Sequence, residues 1–518
     1  MDKKNSRLRN SITNMTTTGF VYIFTMLMAM LVRSFLSRTL GQEYVGLNGV
    51  LTSVITSFSI ADLGVDSVFV FLLYQPLANR DFNEIDNLMV LFKRIYSWIG
   101  IVFLSIGLVA VPFLGNLIGK QSMKIPNVIA IYLVFLLNTG LSYFFASYRV
   151  ILNADQKYYV ISKITFVVTI VIDFLQICFL VFFNNFLFYS ILLLVGTVLI
   201  NLIISRVAKH LYPLGNIRKK GKLKFKRSNT VNVLIKNTIG GISNKLGGIV
   251  VYGSDNILLA NFETLKIVGM YSNYLMITQG ITALLSKVIS SVTASIGNLG
   301  AENNKKKNLE LFLNMSFIMN TLTALVFIPL LFLFSLFIKL WVGNESVLPI
   351  PVVELISINC ALQLVRYPAL TYIDAFGLQW IQKWKSIVEA TVNIMISLIL
   401  LYFFRLGLTG VLLGTLCSNI FVVNWYEPYL VLKEVCDKEY KKYIYQIIPF
   451  AIFIILIVSF SYFILQKNLL GNSIIKNILF VIIMEILQLI VIFIVFKNNA
   501  ELKNIMRIFK RKFLRGDY

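Results

Sequence analysis

Residues 209–228, KHLYPLGNIRKKGKLKFKRS, hold eight Lys or Arg and no acidic residue, and they lie between two long series of apolar segments. An α-helix needs about 20 apolar residues to cross the hydrocarbon core of a bilayer. Six segments of that kind precede the basic run, at 13–36, 46–74, 89–118, 125–149, 158–183 and 186–208. Eight follow it, at 234–260, 267–298, 309–339, 349–376, 383–404, 409–432, 442–466 and 474–497. The tight joints Asn184-Asn185 and Arg405-Leu406-Gly407 predict helical hairpins.

Composition and charge support the same reading. A mean hydropathy of +0.78, with 57% hydrophobic and 14% charged residues, lies far from soluble composition. With the N-terminus inside, 36 Lys and Arg fall in or beside inner segments, 8 beside outer ones and 4 within spans, together the 48 of the chain. Short basic inner loops set orientation, so both termini are expected in the cytoplasm of a bacterial plasma membrane. The net charge of +24 sits in juxtamembrane clusters, which implies contact with anionic lipid and no nucleic-acid partner. The first span is too long for a signal-peptide core. Cys178, Cys360, Cys417 and Cys436 lack metal spacing, and His210 stands alone, so neither a zinc site nor a cofactor is expected.

The two series repeat one another. Val45-Gly46-Leu47 recurs as Val268-Gly269-Met270, Lys163 as Lys385, and Gly196-Thr197 with Asn201 as Gly414-Thr415 with Asn419, at offsets of 223, 222 and 218. An even number of spans per repeat makes the halves parallel copies related by an axis along the membrane normal. The expected fold is an all-α polytopic membrane protein of about 14 transmembrane helices: two six-helix lobes related by pseudo-two-fold symmetry plus two C-terminal helices. Residues 1–208 form the first lobe, 209–233 a basic linker, 234–435 the second lobe, and 436–518 the two added helices with a basic tail. Two lobes facing a cavity is a transporter's layout.

The stretches LGQEYVGLNG at 40–49 with ADLG at 61–64, Tyr148-Arg149 with ADQK at 154–157, and GLTGVLLGT at 407–415 with WYEP at 425–428 carry a resemblance. Together with the six-plus-six-plus-two pattern they resemble the MOP superfamily and, within it, Wzx-type oligosaccharide repeat-unit flippases. The likeness runs through all twelve repeated spans. It implies a MATE-like fold and alternating-access transfer of an undecaprenyl-pyrophosphate-linked glycan to the outer leaflet, for capsule or other surface polysaccharide. It also implies a polymerase and glycosyltransferases as pathway partners. The family carries Glu where Asp62 stands, which keeps the charge and shortens the reach.

Moving a pyrophosphate through the membrane requires a wet cationic cavity. Arg33, Lys245, Lys287 and Arg366 are the basic residues inside spans, and Arg149 lies at an inner span end, so these five are the candidates for the headgroup. Each also has a structural reading, as a snorkelling cation or an internal ion pair, Arg366 with Asp374 for instance. Arg33 continues a polar face through Asn14, Thr18, Tyr22 and Thr25, and Lys245 shares one with Gly248, Tyr252 and Asp255. Tyr22, Tyr252, Tyr271 and Tyr274 are the candidates for stacking on sugar. Asp62, Asp255 and Asp374 are candidates for Na+ or H+ coupling or for gating, against plain structural pairing.

Three rivals share some of this pattern. A lipid II or teichoic-acid precursor flippase moves a similar cargo, and only the quoted stretches separate it. A cation or drug antiporter of the MATE type would favour an acidic, aromatic cavity over these in-span basic residues. A polymerase or glycosyltransferase needs an acid/base pair or a nucleotide-sugar domain, and the short outer connections offer no paired carboxylates. The chain is therefore not expected to be an enzyme.

Overall fold

The computed structural model describes residues 3–59, 65–212, 253–290, 304–467 and 473–504, with isolated positions between and beyond these stretches. The first series of helices is α1 (Lys3–Leu40), α2 (Gln42–Phe58), α3 (Val65–Asn79), α4 (Phe82–Val109), α5 (Val128–Tyr143), α6 (Ala146–Ala154), α7 (Tyr158–Phe183) and α8 (Phe186–Leu211). Residues 253–262 are helical, and α9 spans Leu265–Ser290. The second series is α10 (Lys305–Phe332), α11 (Phe334–Trp341), α12 (Ile350–Leu364), α13 (Tyr367–Ala375), α14 (Lys383–Tyr402), α15 (Gly407–Ser418) and α16 (Asn424–Glu434). Helices α17 (Tyr440–Gln466) and α18 (Ile474–Phe496) close the chain.

Among the described residues ten helices are long and apolar enough to span a bilayer, and α5 with α6, bent by 46°, makes an eleventh as one broken span. They coincide with spans one, three to six and nine to fourteen of the sequence. Span eight is α9, long enough to cross but polar, with Ser272, Asn273, Thr278, Gln279, Thr282 and Ser286 along it. Spans two and seven run through residues outside the description. The chain is a multi-pass membrane protein built almost wholly of helices.

Contacts divide the chain into two compact units, Met1–Gly269 and Met270–Tyr518. In the first, α7 packs on α1 and α8, and α5 packs on α4 and α8. Glycine makes the α4–α5 crossing close: Gly107 lies against Leu136 and Gly140 against Leu104, and the Tyr132 hydroxyl donates to the Gly107 carbonyl at 2.7 Å. Small residues at crossings are how helices approach in lipid, where no hydrophobic force drives them together. In the second unit α10 is central, packed on α12, α17 and α18, while α14 packs on α15. Phe317 meets Phe450 and Phe496, and Phe332 meets Phe460 and Phe480, so aromatic contacts join α17 and α18 to α10.

Three of the first unit's backbone exceptions recur in the second. Left-handed residues recur at Gly119 and Gly343, Gln156 and Gly377, and Asn184 and Arg405, at offsets of 224, 221 and 221. The break between α5 and α6 recurs between α12 and α13. A left-handed residue stops a helix at a set point, which is why Asn184 ends α7 and turns the chain into α8. The repeat is thus visible in turn conformation even where the residues differ: Gln156 and Gly377 share a conformation and no chemistry.

Candidate functional site

Four buried ionic side chains gather where α13, α14 and α16 meet. Glu427, fully buried, accepts from Arg366 Nε at 3.0 Å and Nη2 at 2.8 Å, a bidentate grip, and from Lys385 Nζ at 2.8 Å. Lys385 also reaches Glu389 Oε2 at 3.2 Å, one helical turn along α14, and Arg366 Nη1 stands 3.7 Å from Glu389 Oε1. Two cations meet two carboxylates, so the group is neutral overall and each charge lies against an opposite one. That arrangement is what lets ions persist away from water. Asp374, the partner considered for Arg366 in the sequence, instead accepts from Gln379 at 2.8 Å, while the carboxylates on Arg366 are Glu427 and Glu389.

A polar seam continues from this group between α12, α14 and α15. Asn393 Nδ2 donates to Thr415 Oγ1 at 2.9 Å, and Asn359 Nδ2 to the Leu412 carbonyl at 3.1 Å. Gly414 admits the α14 backbone, since a Cβ there would stand 3.0 Å from the Asn393 carbonyl oxygen. A π-helical turn, Asn419–Val423, follows α15, and its Asn419 carbonyl accepts from Asn424 Nδ2 at 3.0 Å. A π turn adds one residue to the helical register and so resets the direction of every side chain after it, Glu427 included.

The matching ends of the first unit are built differently. Arg149 of α6 places Nη2 at 2.8 Å and Nε at 3.2 Å from the single Asn201 Oδ1. Lys163, the repeat counterpart of Lys385, is exposed, with its ammonium 5.6 Å from the Tyr159 ring centre. Beyond them Tyr212 donates to Asp155 Oδ2 at 2.5 Å, Lys157 pairs with the same oxygen at 2.8 Å, and Lys157 Nζ lies 5.2 Å from the Tyr212 ring centre. Burial and the Asp155 carboxylate together hold the Tyr212 phenol above its ordinary range. This clasp ties the turn before α7 to the end of α8.

The other predicted site residues are spread through the two units. Arg33 is half-buried on α1, within electrostatic reach of the Tyr189 hydroxyl on α8, which in turn feels Asp173 of α7. Tyr22 is half-buried, and its carbonyl accepts from Thr25 at 3.1 Å. Asp255 is buried beside Asn256, whose Nδ2 donates to Ser53 Oγ of α2 at 2.9 Å. Lys287 is exposed near the end of α9. Tyr271 and Tyr274 are core residues: Tyr274 is wholly buried, its ring against Phe334 and its hydroxyl accepting from the Leu348 amide at 3.1 Å. Neither buried ring presents a face on which a sugar could stack. Lys245, Tyr252 and Asp62 lie outside the described residues.

Glu389 and Glu427 are the site residues that sequence reasoning did not single out. The four-residue spacing of Lys385 and Glu389 was a usable signal, since such pairs share one helix face. Glu427 sits in the quoted WYEP stretch but gains its partners only through the fold.

One further crossing is close enough to exclude any side chain. Gly46 of α2 and Gly269 of α9 touch backbone to backbone: a Cβ on Gly46 would stand 3.0 Å from the Gly269 nitrogen and inside contact distance of the Leu265 carbonyl, and the converse holds for Gly269 and Gln42. These are the two glycines of the repeated Val-Gly pair.

Comparison with known proteins gives the fold independently. No protein-family model matches the chain, and no curated protein matches it by sequence. The structure is similar to that of the lipid II flippase MurJ in an inward closed conformation, with a TM-score of 0.64 at 15% identity over 93% of this chain and 99% of that one. It is similar to an inward-facing multidrug-resistance MATE family transporter of the MOP superfamily, with a TM-score of 0.58 at 15% identity over 80% of this chain and 96% of that one. Coverage of 93% necessarily takes in some of α17 and α18. The chain therefore has the fold of the MOP superfamily transporters, and its likeness to the flippase structure extends into the two helices beyond the repeat.

Proposed function

We propose that the chain is a flippase that moves an undecaprenyl-pyrophosphate-linked oligosaccharide from the cytoplasmic to the outer leaflet of a bacterial plasma membrane by alternating access. The observation that supports this reading is the near full-length likeness to a lipid II flippase, which a two-lobe transporter likeness alone would not supply. Both termini and the basic linker at 209–233 then face the cytoplasm, where positive charge accumulates. Two lobes, 1–208 and 234–435, do the rocking, with 436–518 added beside them.

In this reading Arg33, Lys245, Lys287 and Arg149 hold the pyrophosphate, and Tyr22 and Tyr252 take the sugar. Arg366 serves differently. Its charge is matched by Glu427 and Glu389, so it stiffens the cytoplasmic ends of spans ten to twelve while the cargo passes. Asp62, Asp255 and Asp374 are the positions to test for Na+ or H+ coupling. The polymerase and glycosyltransferases of a surface-polysaccharide pathway are the functional partners.

The test is leaflet exposure of a lipid-linked oligosaccharide in proteoliposomes, with and without an imposed Na+ or H+ gradient. Protein-dependent appearance of glycan in the far leaflet supports the reading, and the effective gradient names the ion. Movement of lipid II alone would reassign the cargo. Efflux of a cationic dye with no glycan movement would overturn the flippase reading in favour of an antiporter.

A further inference from the structure

Helix α18 carries one ionisable side chain in its interior, Glu485, 11 residues from either end and so roughly 16 Å from each along the axis. It lies on the buried stripe, four residues after Val481 and three before Gln488, while Ile486 and Leu487 beside it are half exposed. Both carboxyl oxygens are shut off from solvent, and neither has a hydrogen-bond partner among the described residues.

Among the described residues, the elements packed here offer no cation to balance a charge. Phe332 against Phe480 and Phe317 against Phe496 fix the antiparallel register of α10 and α18, which sets Glu485 level with Phe327 and Ile328. Those two residues share a core cluster with Val481 of α18 and Ile457 of α17, and Met484 packs on it. Helix α10 has no ionisable side chain between Glu310 and Phe332, and α17 has none between Tyr445 and Tyr462. From α12, which also contributes to the cluster, the ionisable groups are Glu354, bonded to Ser461 at 2.7 Å, and Cys360. A carboxylate in such a place is strongly disfavoured, whereas the neutral acid is tolerated.

We propose that Glu485 is a proton-binding site at the middle of the membrane: α18 seats against α10 and α17 with this carboxyl protonated, and loss of the proton drives the helix from its seat. The ligand is H+ alone, and the step is the reversible protonation of one carboxylate oxygen. No transport activity is assumed, so failure of the flippase reading leaves the site untouched.

The experiment uses the full chain in liposomes with dicyclohexylcarbodiimide as the probe. This apolar reagent takes the proton of a buried carboxylic acid, adds the carboxylate at its central carbon and rearranges to a stable N-acylurea that retains every atom of both. Peptide mass spectrometry is expected to find the adduct on Glu485 at about pH 5.5, falling at least about fivefold by about pH 8.5 as the protonated fraction drops. In Glu485→Gln the adduct disappears from that peptide. The parent is expected to lose heat resistance as pH rises from about 5.5 to about 8.5, and Glu485→Gln is expected to lose that decline, because a permanent amide keeps the seated state. No adduct at the lower pH, with the reagent shown to label another carboxyl of the same chain, would overturn the proposal. So would equal labelling at both pH values.

Discussion

Replacing Glu427 by Gln tests the buried ionic group directly. The substitution keeps the shape of the side chain and removes one negative charge, leaving Arg366 and Lys385 to share Glu389. Three donor atoms lie 2.8 to 3.0 Å from the Glu427 oxygens. At an effective dielectric of about 20, one opposite pair at about 3 Å is worth ~5 kcal/mol, and two such attractions are lost. Relief of the carboxylate's own desolvation offsets much of this, so the net cost is about 3–5 kcal/mol, the range found when one partner of a buried pair is removed. The assay is the rate of thermal inactivation in lipid nanodiscs, because membrane proteins of this size seldom unfold reversibly. With about 1.4 kcal/mol per tenfold, inactivation should accelerate on the order of a hundredfold or more if the group breaks before the barrier. Removing Arg366 together with Glu427, as the double Gln variant, restores neutrality and leaves Lys385 with Glu389; it should recover at least half of the lost free energy. A single variant within about twofold of the parent would refute the reasoning, since it would mean that the cations find water or another anion at no cost.

Other perturbations follow from the same structure. Gly46→Ala or Gly269→Ala places a methyl group inside a backbone contact, and a cost of about 1–3 kcal/mol is expected from forced separation of the helices, read as faster thermal inactivation. Ala at Gly343, where no neighbour lies within 4 Å but φ is +114°, should instead show strain without a clash. Tyr212→Phe removes the hydrogen bond to Asp155 at a cost of about 1 kcal/mol. Because burial and Asp155 raise the folded phenol above its ordinary 10.0, its contribution is full below about pH 10 and is lost only as pH climbs through the raised value, so parent and variant should converge only in strong alkali. Arg33→Ala should abolish glycan export at normal membrane abundance, and full export by that variant would remove Arg33 from the cargo site.

Much of the architecture could be read from the chain because lipid imposes a blunt rule: every span must satisfy its own backbone over about 20 residues. Eleven spans met that rule outright. Span eight, placed at 267–298 with the apolar segments, coincides with α9 although that helix is polar, and the repeated Val268-Gly269 pair opens it. The site was less legible. Lys163 and Lys385 look alike in sequence, yet one is exposed and the other sits in the ionic group. The difference lies at their partners: the positions corresponding to Glu389 and Glu427 hold Val167 and Lys209. Tyr274 shows the converse error, since a tyrosine on a polar helix face can spend its hydroxyl on a neighbouring loop amide, here Leu348, and bury its ring entirely. The π turn at Asn419–Val423 had no advance signal, because adding one residue to a helical register leaves no mark on composition.

The contact between Gly46 and Gly269 has a kinetic consequence. Helices that interlock through side chains can change their crossing angle only by lifting ridges out of grooves, and each such event adds to the barrier. At Gly46 and Gly269 two backbones meet with no side chain between them. A contact of this kind is expected to resist a change of crossing angle less than interlocked side chains do. If the chain works as the proposed flippase, a methyl group added to either glycine should slow its transport cycle as well as loosen the fold.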